Sequence, residues 1–173
     1  MKQIGIAISM VALLMLVSCA TQQERAEQRA KMRQAVEEAV NSRQLHIDIK
    51  SMNSMRYGAR SVTPDFFLEL RGDTLCSYLP YLGQAHQAPM MSPSMGLNFE
   101  APIIKLTESQ PKATNGQPKG GNDNNIWRLT IDVKTKEDSF RYIIDLYDSG
   151  EAYIRVNSQR LDPISFDGRI SVP

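Results

Sequence analysis

Trp127-Arg128-Leu129-Thr130-Ile131-Asp132-Val133, Phe140-Arg141-Tyr142-Ile143-Ile144-Asp145-Leu146 and Ala152-Tyr153-Ile154-Arg155-Val156 are three runs with a period of two. Apolar side chains occupy every second position, and charges or tyrosines fill much of the space between. That alternation is the mark of strands with one face buried and one face wet. The connections fix how the runs pair. A three-residue loop, Asp148-Ser149-Gly150, with glycine at its left-handed position, sets Leu146 opposite Ala152 and Ile144 opposite Ile154. A two-residue loop would mix the faces. A four-residue loop over Thr135–Asp138 likewise sets Val133 opposite Phe140. The outward face then carries Arg128, Asp132, Lys134, Arg141, Asp145, Tyr147, Tyr153 and Arg155. Its interleaved signs predict cross-strand ion pairs on a solvated face.

The same pattern runs backwards along the chain. Phe66-Phe67-Leu68-Glu69-Leu70-Arg71 and Thr74-Leu75-Cys76-Ser77-Tyr78-Leu79 flank Gly72-Asp73, a two-residue type II′ hairpin signal. The register pairs Leu70 with Leu75, Leu68 with Ser77 and Phe66 with Leu79. It sets Glu69 beside Cys76 and Phe67 beside Tyr78 on the other face. Leu45, Ile47 and Ile49 alternate with His46, Asp48 and Lys50 as a further strand. Met52 to Thr63 reads as a loop or edge segment. Met95 to Leu106 has strand character with a break at Pro102, and Ile164 to Val172 is a last strand with Gly168 as a turn or bulge. Residues 107–125 are rich in Gly, Asn, Pro and Lys and read as a long loop.

Before residue 44 the period changes to that of a helix. Residues 20 to about 43 are rich in Gln, Glu, Arg, Lys and Ala, with an apolar stripe through Ala26, Ala30, Met32, Val36, Ala39 and Val40. The second half of this helix is expected to pack on the domain. The fold class is therefore α+β: about eight mostly antiparallel strands and one N-terminal helix. One helix cannot cover eight strands, so the sheet must curl, or fold into a sandwich or half-barrel.

The N-terminus supplies an address. Lys2 precedes an almost unbroken apolar run from Ile4 to Val17, too short for a stable membrane span and shaped like a secretory signal. Leu16-Val17-Ser18-Cys19 resembles the bacterial lipobox, which implies cleavage before Cys19 and acylation of its thiol. The expected domains are 1–18 as signal peptide, 19–43 as lipidated tether and helix, and 44–173 as β domain. Ala20, rather than aspartate, favours the outer membrane, and the absence of an acidic cluster after Cys19 favours its periplasmic side. Partner number one is thus the membrane, through lipid on Cys19.

Composition narrows the function classes. Of 173 residues carrying a formal charge of +1, removal of residues 1–18 takes Lys2 and leaves a neutral chain long enough for one cored domain. No nucleic-acid partner is expected without a basic balance. Of two cysteines, one is the lipid site, so Cys76 is a single thiol, expected to be buried. Pairing Cys76 with His86 for catalysis is disfavoured by its mid-strand position. No catalytic residue is assigned, no cofactor is expected, and the chain is read as a non-enzyme.

Leu79-Pro80-Tyr81-Leu82-Gly83, Ala85, Ala88-Pro89 and Gly96-Leu97-Asn98-Phe99 resemble a family of uncharacterised Bacteroidetes lipoproteins grouped as a domain of unknown function. The Asp148-Ser149-Gly150 hairpin and the Ile164-Ser165-Phe166-Asp167-Gly168 ending are similar too. Gln84 and His86 depart from the Arg and aromatic expected there. The resemblance covers most of residues 40–172 and implies fold and location, with no activity attached.

The 79–95 segment is the candidate contact surface for an envelope protein or small ligand, through Tyr81, His86, Met90, Met91 and Met95. Two alternatives stand beside this non-catalytic binding module. One is an envelope enzyme with an unrecognised site. The other is Cu(I) handling by His86, Met90, Met91 and Met95, since thioether and imidazole suit that ion.

Overall fold

The computed structural model describes residues 23–83, 97–110 and 125–171, and Cys19 lies outside them. A helix, α1, covers residues 23–41. Nine strands follow: β1 Gln44–Ser54, β2 Gly58–Ser61, β3 Phe67–Arg71, β4 Thr74–Leu79, β5 Leu97–Ser109, β6 Asn125–Lys134, β7 Ser139–Tyr147, β8 Glu151–Ser158 and β9 Ile164–Ile170. All pairings are antiparallel. The order is β2-β1-β3-β4-β5-β6-β7-β8-β9, with β9 returning to β1. Eight strands thus close into a barrel, and β2 is attached to β1 outside the closure.

The expected hairpins form in the expected registers. Leu70 faces Leu75 and Leu68 faces Ser77. Val133 faces Phe140, Leu146 faces Ala152 and Ile144 faces Ile154. Gly72 has φ of 59° and is the sole left-handed residue of its turn, as type II′ requires. Gly150 has φ of 79°, and its N–H donates to the Tyr147 carbonyl at 3.0 Å.

Of the loop and edge readings of Met52 to Thr63, the edge one holds: β1 runs on to Ser54 and turns back into β2 at the end of the strand order. Two expectations are corrected. Pro102 does not break β5. It is the last residue paired with β4, opposite Thr74, and pairing with β6 starts at Ile103, so the proline sits where the strand changes partners. Strand structure also reaches Ser109 and resumes at Asn125, into both ends of the expected 107–125 loop.

Closure places one apolar face entirely inside. Ile47, Leu75, Leu79, Ile131, Leu146, Ile154, Phe166 and Tyr142 have no solvent exposure. An eight-stranded barrel is just wide enough for side chains to fill it, and here they do. The helix closes one end. Val36 and Val40 are buried in the barrel core, with Met32 and Ala39 packed against it, whereas residues 23–31 are exposed. Met32 lies over the β7–β8 turn, its Sδ 2.7 Å from where a Cβ on Gly150 would stand. At the helix end, the Gly72 N–H donates to the Arg43 carbonyl at 2.8 Å.

A polar chain runs through the core. Ser77 Oγ donates to the Leu97 carbonyl at 2.5 Å, which leaves the buried Tyr142 hydroxyl, 3.0 Å away, to donate to Ser77. Burial pushes the Tyr142 phenol well above its ordinary pKa, so it stays a donor. Removing the acceptor orphans that hydroxyl, whereas removing the hydroxyl orphans little. Ser77→Ala is expected to cost about 1–3 kcal/mol and Tyr142→Phe about 1 kcal/mol. In urea titrations the double variant should lose less stability than the sum of the two single losses. Gly168→Ala is expected to cost about 1–3 kcal/mol in the same assay, because its Cβ would stand 2.6 Å from the Asp48 carbonyl oxygen.

Candidate functional site

Strand alternation turns a second set of side chains outward across β1, β3, β4 and β5. One cross-strand row is Asp48, Phe67, Tyr78 and Asn98, and the next is His46, Glu69, Cys76 and Glu100. The rings stack across three strands. His46 lies on Phe67 with centroids 5.1 Å apart at 20°, and Phe67 meets Tyr78 at 5.7 Å. Phe66, from the entry to β3, stacks on Tyr78 at 5.5 Å. Tyr78 is 43% exposed. Offset aromatic pairs of this kind favour each other beyond their area, yet their outer faces remain on the solvent side of the barrel.

Charges border this stripe. Arg71 Nη2 donates to Glu69 Oε2 at 2.6 Å. His46 Nε2 is 3.2 Å from Asp48 Oδ1, and its Nδ1 is 3.9 Å from Glu69 Oε1. The hydrogen bond from Arg71 holds Glu69 below the usual carboxylate range, against a smaller opposing effect of burial. A recess of about 580 Å³ opens at the start of β1, between Arg71-Gly72 on one side and Ser171 on the other, with His46 and Glu69 in its wall.

The chemistry of this face suits contact. Cys76 is buried, and that burial pushes its thiol up despite Arg71 nearby, which keeps it protonated at neutral pH. The two ring nitrogens of His46 face different carboxylates, so they do not converge on one ion. Among the described residues no group of three or more His, Cys, Asp or Glu side chains is arranged to hold a metal.

The opposite outer face is the ion-paired surface its sequence pattern predicts. Arg141 Nε donates to Asp132 at 2.7 Å, and Arg128 Nε to the buried Asp145 at 2.5 Å, with Arg155 3.7 Å from the same carboxylate. The Arg141 hydrogen bond holds Asp132 low as well.

The residues singled out in the sequence are placed as follows. Tyr81 is half-buried and packs on the core together with Leu82. Its hydroxyl donates to the Asp162 carbonyl at 3.3 Å, and burial raises its phenol pKa. His86, Met90, Met91 and Met95, and with them the Cu(I) alternative, lie outside the described residues, as does Cys19. The outer stripe was not singled out in the sequence. Its signal was the Phe67–Tyr78 pairing given by the hairpin register, to which His46 is added by β1–β3 pairing.

The model of the family DUF4251, a domain of unknown function, matches residues 27–170. A crystal structure of a DUF4251 family protein from Bacteroides eggerthii DSM 20697 superposes with a TM-score of 0.58 at 12% identity, over 82% of this chain and 87% of that one. That likeness is one of fold. No curated protein matches the chain. No helix among the described residues is long and apolar enough to cross a membrane.

The paired carboxylates predict an acid dependence. Glu69 and Asp132 ionise more readily in the fold than in the unfolded chain. Their contribution is therefore complete above the ordinary carboxylate pKa and is lost as pH falls through the lower folded value. Both pairs are exposed, so their contribution is small and is weakened further by salt. Urea midpoints measured at neutral pH and near about pH 3 should differ less in Arg71→Gln and in Arg141→Gln than in wild type.

Proposed function

Because the chain belongs to the DUF4251 family, whose description assigns no activity, we propose a function from its surface: a non-catalytic binding module held at the outer membrane by lipid on Cys19 and facing the periplasm. Its contact surface is the outer stripe of His46, Phe67 and Tyr78 with the adjoining recess. The carrying observation is that stacked rings cross three strands on the solvent face of a barrel whose interior is already filled. Those rings are not needed inside, and contiguous exposed apolar surface bordered by polar groups marks interaction sites. The expected ligand is a protein or small molecule with an apolar or ring-shaped face and groups that reach Arg71 and Glu69. A buried, protonated Cys76 and a His46 flanked by two carboxylates favour contact over nucleophilic chemistry.

The membrane part of the reading rests on Leu16-Val17-Ser18-Cys19 and on α1, whose exposed first turns stand between that motif and the barrel.

Two measurements test this. Labelled palmitate is expected in the wild-type protein, which should fractionate with outer membranes, whereas Cys19→Ala should lose the label and the association. A pull-down from native envelopes is expected to lose its partner in Tyr78→Ala at unchanged melting temperature. A partner retained by that variant would move the contact surface elsewhere.

A further inference from the structure

Among the described residues, one strand edge stays outside the barrel closure. β2 pairs with β1 and stands at the end of the sheet order, so among the described residues its outer edge has no strand beside it. All four of its residues are exposed. The register says which backbone groups lie on that edge. The Val62 N–H donates to the Lys50 carbonyl at 3.1 Å, and Ser61 sits opposite Ser51. Antiparallel strands turn alternate residues toward the partner, so Gly58, Arg60 and Val62 face β1. Ala59 and Ser61 therefore present their N–H and C=O groups outward.

The charged side chains of β2 and of the turn before it, Arg56 and Arg60, are both positive, with Lys50 on β1 beside them. The nearest carboxylate in the pairing, Asp167, lies on the far side of β1, where it accepts from Ser51 Oγ at 2.8 Å. Met55 is 81% exposed and Tyr57 51% exposed at the turn into β2, with the Arg60 guanidinium 5.7 Å above the Tyr57 ring. Two copies joined edge to edge would bring these arginines together, which disfavours a second copy of this chain. We propose that the outer edge of β2 accepts an extended acidic segment of another protein by strand addition, with Ala59 and Ser61 supplying the main-chain hydrogen bonds and Arg60 selecting the charge. This surface does not depend on the His46–Phe67–Tyr78 stripe and engages different residues.

The test uses the full mature protein in detergent and a fluorescent peptide of alternating Glu and Val, read by anisotropy. The acidic peptide should bind, and binding should fall about tenfold or more between about 50 and about 500 mM salt. A peptide of alternating Lys and Val should not bind, and Arg60→Glu should reverse that preference. Ala59→Pro removes an outward N–H and should abolish binding. A copy of the acidic peptide N-methylated at every residue should also fail, which tests strand pairing without relying on a variant that folds. Tyr78→Ala should leave peptide binding unchanged. No binding of the acidic peptide, equal binding of the N-methylated copy, or loss in Tyr78→Ala would each overturn the proposal.

Discussion

β1 is paired along both edges, and the barrel exists because of it. One edge takes β3 at Gln44–Asp48 and β2 at Ser51–Ser54; the other takes β9 from Ile47 to Ser54. The β9 register skips a residue between Ile49 and Ser51, a bulge that bends β1 toward its partner. Gly168 sits opposite Ile49, between β1 and β8, where an added Cβ would meet both the Asp48 carbonyl and the Ile47 side chain. The close approach of β9 to the bulge therefore needs a residue without a side chain. Once β9 closes on β1, each inward row finds a neighbour on both sides, and a single helix suffices to cover the end that remains.

A filled barrel directs function outward. Phe99, Phe140 and Tyr142 pack as a ring cluster inside, and the Tyr142 hydroxyl is spent on Ser77, which is bonded in turn to the Leu97 carbonyl. What is left for recognition is the wall and its rims. The wall divides by chemistry. Across β6, β7 and β8 it carries arginines matched to aspartates, a face that satisfies itself. Across β1, β3 and β4 it carries rings, whose faces have no such internal partner in the solvent direction.

Much of the fold was legible because hairpins are local. Alternation and turn chemistry together fixed three registers, and Gly72 and Gly150 sit in the conformations their positions demanded. What escaped had physical causes. β2 contains Gly58, Ala59, Arg60 and Ser61, with no large apolar residue to set a period. The bulge after Ile49 shifts the phase of β1, so that Met52 and Ser54 become the buried positions and the alternation read from Leu45 no longer carries through. Closure joins residues more than a hundred positions apart, and no local pattern encodes it. The outer stripe was half legible for the same reason. Phe67 and Tyr78 share a hairpin, whereas His46 reaches them through a pairing between strands that the sequence does not align.

The direction of β1 sets how the surfaces stand relative to a lipid anchor. The strand starts beside the C-terminal end of α1 and, at roughly 3.4 Å per residue, carries the chain the length of the barrel before β2 begins. The helix and the recess beside Arg71 and Ser171 therefore share one end, and the β2 edge belongs to the other. On the proposed anchoring at Cys19, α1 stands in the chain between the lipid and the barrel, and its second half packs at the barrel end opposite β2. Along β1, Phe67 stands opposite Asp48 and Ser61 opposite Ser51, so the ring stripe lies between the recess and the β2 edge, about three residues of strand from the latter.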